Sequence, residues 1–288
     1  MLVYLNGDVL ELAQARISPE DRAFLFADGL YEAVLARRGR LLFWDEHERR
    51  LSSGLAALRI ALPDPASLHG VAEELLRRNQ LLGGDAPPDA LVYLQVSRGA
   101  APRLHAFPEP PVPPTVYVTT RAWSGHPPVL VAGGATALTV ADTRWARCDV
   151  KSTALLPNVL AQQQAKEAGA HEAIFVRDGI ALEGSHSNLF AVRGGEVWTY
   201  PACNYILDGI TRVAVLELAA AMGIPVRLGA IPLADLYAAD EVFLTGTTTE
   251  VLPVVAVDGR RIGHGLPGPV TAKLREAYLL QVEERAGR

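Results

Sequence analysis

The sequence predicts a mixed fold of the α+β, or irregular α/β, kind in two domains. Three observations carry this. Strand-like and helix-like stretches are interspersed without the regular strand–helix–strand rhythm of a doubly wound sheet. Five of the seven residues 108–114 are proline, a stiff connector that no helix or central strand can cross, and Ser124-Gly125-His126-Pro127-Pro128 breaks the chain soon after. The 288 residues, 49% apolar and 20% charged, are enough for two modest cores. The expected division is a first domain at 1–120, a linker at 121–128 and a second domain at 129–288.

In the first half, residues 2–10 read as a hairpin turning on Asn6-Gly7-Asp8. Asp28-Gly29 is a turn signal before a strand at 30–36, which the Arg38-Gly39 turn closes against Leu41-Leu42-Phe43. Asp45 is a good N-cap for a helix carrying Leu51, Leu55 and Leu58 at helical spacing and ending before Pro63. A second helix is expected from Pro65 to about Leu82, with Val71, Leu75 and Leu76 on its buried side, then a loop at 83–88. Strands follow at 91–96 and 116–120, with the loop that carries Arg98, Arg103 and His105 between them.

The second half opens with short strands at 129–132, 138–141 and 147–150. In the stretch 144–152, alternation sends Ala146, Cys148 and Val150 one way and Trp145, Arg147, Asp149 and Lys151 the other. An amphipathic helix at 155–168 stops at Gly169. Two hairpins follow, one turning on Arg177-Asp178-Gly179 and one on Arg193-Gly194-Gly195. A helix starts at Gly209-Ile210-Thr211-Arg212, strands are expected at 241–245 and 251–257, and a helix at 270–284 closes the chain.

A net charge of −5 gives no electrostatic case for a nucleic-acid partner. No apolar run reaches membrane-spanning length, and the opening Met-Leu-Val-Tyr enters a strand without a basic leader. Cys148 and Cys203, far apart and without metal-ligand spacing, suggest free thiols in a cytoplasmic protein. No metal is expected, because the seven histidines are scattered. Nucleotide signatures are absent, and Ser185-His186-Ser187 lacks the spacing of a nucleophile elbow.

Four stretches of the second half read as parts of one site. Lys151 stands before an apolar helical stretch, where a lysine can project into a cleft and act as an amine nucleophile. Taken alone, such a lysine is an ordinary surface residue. Glu183-Gly-Ser-His-Ser-Asn188 sets a carboxylate before a turn of small residues. Gly209-Ile210-Thr211-Arg212 opens a helix whose first amides can take a phosphate. Thr245-Gly246-Thr247-Thr248-Thr249 adds hydroxyl donors at a strand end. An amine for a Schiff base, an acid for a pyridine nitrogen and donors for a phosphate are the needs of pyridoxal phosphate.

With those residues in view, the chain resembles the fold-type IV pyridoxal-phosphate enzymes over nearly its whole length. The resemblance rests on Phe26-Ala-Asp-Gly-Leu-Tyr31-Glu32, Glu46-His47 to Arg50-Leu51, Arg147-Cys-Asp-Val-Lys151-Ser, Glu183-Gly-Ser-His-Ser-Asn188, Leu207-Asp-Gly-Ile-Thr-Arg212 and Thr245-Gly-Thr-Thr-Thr-Glu250. It implies a small N-terminal α/β domain, a larger C-terminal pseudo-barrel domain and pyridoxal 5′-phosphate between them. Lys151 would form the Schiff base and shuttle the proton. Glu183 would hold the pyridine nitrogen protonated, and Leu207 would pack on the ring. Arg50, the amides of Ile210 and Thr211, and Thr247 and Thr248 would hold the phosphate.

Val96-Ser-Arg98-Gly-Ala-Ala-Pro-Arg103-Leu-His105 resembles the carboxylate-binding segment of D-amino-acid aminotransferases. By that likeness Tyr31, Arg103 and His105 would grip the substrate α-carboxylate, the last two from the partner subunit of a homodimer; Arg98 is the weaker candidate. An arginine fork suits a carboxylate. The implied reaction moves an amino group between D-amino acids and 2-oxo acids. An (R)-amine transaminase, a branched-chain L-aminotransferase, an aminodeoxychorismate lyase and a non-catalytic cofactor binder are the alternatives. His47 reads as structural, at a helix start beside Glu46. His186 and Gly246 depart from the family pattern, which has a small residue and a serine there.

Overall fold

The computed structural model describes residues 1–82 and 88–287. The loop expected at 83–88 therefore lies, except for Pro88, outside the described residues. The chain forms two compact units. One comprises Met1–Ser124, Val150–Ala154 and Glu283–Arg288; the other comprises Gly125–Asp149 and Leu155–Val282.

In the first unit an antiparallel sheet runs in the spatial order Asp8–Glu11, Leu2–Leu5, Thr115–Ala122, Ala90–Ser97, Gly29–Arg37, Arg40–Leu41. The hairpin expected at 2–10 is present, with Asn6 and Gly7 both at positive φ and Leu5 opposite Asp8. Helices Trp44–Leu58 and Ser67–Arg78 pack on the sheet. Leu30, Val34, Val92, Leu94, Val116 and Val118 form a core with Leu51, Leu55, Leu68, Leu75 and Leu76 of the helices. Each such side chain contributes roughly 1.5–3 kcal/mol by leaving water. The intervening strand positions Tyr31, Tyr93, Gln95 and Tyr117 are only half-buried, as period-two alternation requires.

The second unit is a closed ring of strands. Asn188–Arg193 pairs with Glu241–Gly246, then follow Glu250–Val257, Ala135–Ala141, Glu172–Arg177 and Ile180–Gly184, and the last returns to the first through the pair Asn188↔Glu183. Closure removes the edges an open sheet would expose and realises the expected pseudo-barrel. Helix Ile210–Ala221 packs on strand Glu241–Gly246, and helix Leu156–Glu167 packs on Glu172–Arg177. Ile174, Leu189, Val242, Leu244 and Val254 lie at the heart of its core.

Several local expectations are corrected. No strand covers 147–150: the backbone there is turn and bend, and only Ser152 makes a bridge, to Leu30. Cys148 and Val150 are nonetheless buried and Trp145, Arg147 and Asp149 exposed, although Ala146 faces water as well. Residues 129–132 belong to the helix Pro128–Gly133, which has proline in its first turn; a short apolar run does not distinguish helix from strand. Asp45 is not the N-cap of its helix. Phe43 takes that position at φ 55°, and Asp45 and Glu46 lie in the first turn, where the helix dipole favours acids. Helix Leu156–Glu167 buries Ala161 and Ala165 and leaves Leu156, Val159 and Leu160 exposed.

Candidate active site

Lys151 is held by backbone pairing. Strand Gly29–Arg37 is bordered on one side by Ala90–Ser97, but on the other Arg40–Leu41 covers only its end. The open stretch takes residues 151–153. The Tyr31 amide donates to the Lys151 carbonyl (3.1 Å), the Thr153 amide donates to the Gly29 carbonyl (3.0 Å), and the Thr153 hydroxyl donates to the Ala27 carbonyl (3.0 Å). Lys151 Nζ stands 4.2 Å from the centroid of the Tyr31 ring, which stacks on Tyr93. An aromatic face favours a cation in that position. The chain has three lysines; Lys166 and Lys273 are exposed, and Lys151 is half-buried.

Glu32, one residue beyond Tyr31, points to the other side of the sheet and is 1% exposed. Arg50 grips it bidentately, Nε to Oε1 at 2.7 Å and Nη2 to Oε2 at 2.8 Å, and His47 Nδ1 lies 2.7 Å from Oε2. Burial alone would raise the Glu32 carboxyl, but Arg50 and His47 hold it far below the ordinary carboxylate range. Burial also lowers the pKa of His47 against the upward pull of Glu32. His47 is thus structural, but its partner is Glu32; Glu46 pairs with Arg285.

In the second unit Glu183 ends strand Ile180–Gly184 and is buried. Its Oε1 accepts from Arg144 Nη1, and its Oε2 accepts from Asn188 Nδ2 (3.0 Å) and from the Leu207 amide (3.0 Å). Arg144 is fixed in turn by Asp142 (2.9 and 3.1 Å), by the Tyr205 carbonyl and by the Phe175 ring beneath it. Burial pushes the Glu183 carboxyl up to about 7 against the pull of Arg144. A carboxyl with that affinity, held by three N–H donors, is suited to sharing a proton with a ring nitrogen. Leu207 is clipped at both backbone ends, because Asn188 Nδ2 also donates to its carbonyl (2.7 Å). Its side chain is half-buried.

Helix Ile210–Ala221 follows Gly209, with neither a side-chain cap nor an acid in its first turn. A Cβ on the buried Gly209 would lie 2.0 Å from Asn188 Oδ1, so glycine alone fits here. Twelve residues of helix aim their positive end at this point, where Ile210 and Thr211 present their amides. The half-buried Thr247 and Thr248 lie in the turn between Glu241–Gly246 and Glu250–Val257, on the first of which the helix packs. Thr245 Oγ1 and Arg212 Nε are buried in these elements without a hydrogen-bond partner among the described residues. His186 Nδ1 lies 3.0 Å from the buried Glu172.

Arg103 and His105 lie on an exposed segment of the first unit. Both rest on Phe26: the Arg103 guanidinium is 5.2 Å, and the His105 ring 5.5 Å, from its centroid. The described ring contacts of Tyr31 are with Tyr93 and Lys151 instead. Arg98 is buried, bonded to Asp28 and to the carbonyls of Leu58 and Arg59, and so is structural. Sequence reasoning missed the roles of Asn188, Arg144, Glu32 and Arg22. Asn188 ends the Glu183 motif and Arg144 opens the Lys151 stretch, so their positions were the available signal.

This fold is that of the aminotransferases as a class. More particularly, the model of the amino-transferase class IV family matches residues 29–257, and the chain belongs to that family. It is 37% identical to the D-alanine aminotransferase of Staphylococcus haemolyticus over 99% of both chains. It is 39% identical to that of Bacillus licheniformis over 96% of this chain and 95% of the relative. Among solved structures, the T.th. branched-chain amino acid aminotransferase with pyridoxamine 5′-phosphate superposes with a TM-score of 0.88 at 31% identity, covering 99% of this chain and 94% of that one. The branched-chain aminotransferase of Thermoproteus uzoniensis with norvaline reaches 0.86 at 26% identity, covering 99% and 95%.

Proposed function

We propose that this aminotransferase moves the amino group between D-amino acids, D-alanine among them, and 2-oxo acids such as 2-oxoglutarate and pyruvate, with pyridoxal 5′-phosphate as cofactor. The observation that carries the reading is the near full-length similarity to D-alanine aminotransferases, at 37% and 39% identity. The segment bearing Arg103 and His105 supports it.

The residues fit the cofactor. An uncapped helix start at a glycine with no room for a Cβ suits a phosphate, and the unpartnered Thr245 and Arg212 atoms lie in the elements around it. When bound, the cofactor supplies an aldehyde for the amino group and a ring that draws electrons from Cα. Lys151 binds it through Nζ and moves the proton at substrate Cα. Glu183, backed by Arg144, holds a proton on the pyridine nitrogen. Arg50, the Ile210 and Thr211 amides, and Thr247 and Thr248 bind the phosphate, while Leu207 covers a ring face. Tyr31 binds the substrate carboxylate with Arg103 and His105, which a second subunit of a homodimer brings to the site.

The test is the visible spectrum of the cofactor-loaded protein. D-alanine is expected to bleach the long-wavelength band and L-alanine to leave it. Bleaching by L-leucine but not by D-alanine would support the second reading, a branched-chain L-aminotransferase, which the superposition on the branched-chain enzyme with pyridoxamine 5′-phosphate favours.

A further inference from the structure

We infer that Arg22 is the positioning residue of segment 103–107, holding its backbone so that Arg103 and His105 are presented to a substrate carboxylate. The inference rests on the carboxylate role proposed above for those two residues.

Residues 102–114 contain no helix or strand, so whatever fixes Arg103 and His105 must come from elsewhere. Arg22, at the start of the short helix Arg22–Phe26, is 3% exposed. Its backbone is fixed first: its amide donates to the Gly99 carbonyl (3.0 Å), and Asp21 bridges Ala100. Its guanidinium then reaches three successive carbonyls of the segment. Nη1 donates to Leu104 (2.6 Å) and Ala106 (3.3 Å), and Nη2 donates to His105 (3.4 Å). Its remaining nitrogen, Nε, donates to Asp28 Oδ2 at 2.8 Å. Only a planar fork with five N–H groups serves a carboxylate and three carbonyls at once; an ammonium is a point charge.

The rest of the cluster acts in the same sense. Asp28 also takes Arg98, Nε to Oδ2 at 2.7 Å and Nη2 to Oδ1 at 2.9 Å. Arg98 lies 3.6 Å from the centroid of Phe107, at the far end of the segment. Phe26, in the same short helix as Arg22, seats Arg103 and His105. The backbone of 104–106 is thus tied inward while the side chains of 103 and 105 remain at the surface. Two guanidiniums share one carboxylate, so removing Arg22 leaves a balanced Arg98–Asp28 pair, and the fold is expected to survive.

The experiment compares Arg22→Lys and Arg103→Ala in the cofactor-loaded enzyme with D-alanine as donor, with Arg22→Gln as the second variant should the lysine fail to fold. For Arg22→Lys, KM is expected to rise about tenfold or more while kcat at saturation stays within about threefold. Cofactor affinity is expected to be unchanged, and the amides of 104–107 to exchange hydrogen faster while those of strand Gly29–Arg37 do not. A merely structural loss would lower cofactor affinity and speed exchange throughout the sheet, which would overturn the inference. So would an unchanged KM in the folded Arg22 variant beside a raised KM in Arg103→Ala, and the carboxylate reading would then stand. If Arg103→Ala itself leaves KM unmoved, the carboxylate reading has failed, and Arg22 loses its role with it.

Discussion

Glu183 and Asn188 are the pair at which the ring of strands in the second unit closes, and their side chains are bonded to each other at 3.0 Å. Fold closure and the candidate site therefore meet at one point. Asn188 also donates to the Leu207 carbonyl, and its Oδ1 fills the space where Gly209 has no side chain. One amide thus sets the carboxylate, the leucine and the helix start together.

Replacing Asn188 by Asp removes the donor and sets a second carboxylate against Glu183. A buried carboxylate left without its partner costs about 1–3 kcal/mol, and like charges add to that. Cofactor affinity, measured by titrating the apoprotein and following absorbance, is expected to fall at least about tenfold. The melting temperature of the apoprotein is expected to fall as well.

Gly209→Ala introduces no backbone strain, because φ is −70°, but its Cβ meets Asn188 Oδ1. Weaker binding of inorganic phosphate and of the cofactor is expected. In an Asn188→Ala background the clash disappears, so the two substitutions together are expected to cost less than the sum of their separate effects. Simple additivity in a double-mutant cycle would show that the two residues do not touch.

Two buried carboxyls give the apoprotein opposite pH responses. Glu183 is raised from 4.5 to about 7, so the folded state binds the extra proton, and this group's contribution to stability falls as pH rises from about 4.5 to 7. Glu32 is lowered from 4.5, so its contribution is present above that pH and is lost as pH falls through the lower folded value. Urea unfolding at pH 2–8 is expected to show a flatter decline between about pH 4.5 and 7 in Glu183→Gln than in the parent. Glu32→Gln is expected to lose the acid-side dependence instead.

What the sequence made legible was local. The runs around Asp178-Gly179 and Gly194-Gly195 appear as hairpins with positive φ at their turns, and the helix after Gly209 starts where that glycine placed it. Lys151 was singled out by its neighbours, but the strand assigned to it was wrong. Its carbonyl accepts from the Tyr31 amide, 120 residues earlier, beside the single bridge of Ser152 to Leu30, which no periodicity reports. Arg22 was missed for the same reason: its partners are backbone carbonyls more than 80 positions away, and carbonyls carry no residue signature. The pairing of Glu32 with Arg50 and His47 joins a strand to a helix face, whereas the sequence offered Glu32 only as part of a motif, Arg50 as a phosphate ligand and His47 as a helix-start histidine.

The claim on which the account depends is that Lys151 carries the cofactor. Borohydride reduction of the holoenzyme, followed by peptide mapping, tests it directly, because the chain offers only Lys151, Lys166 and Lys273. The pyridoxyl group is expected on the peptide containing Lys151, with no label and no turnover in Lys151→Ala. Label on Lys166 or Lys273, or an active alanine variant, would contradict it.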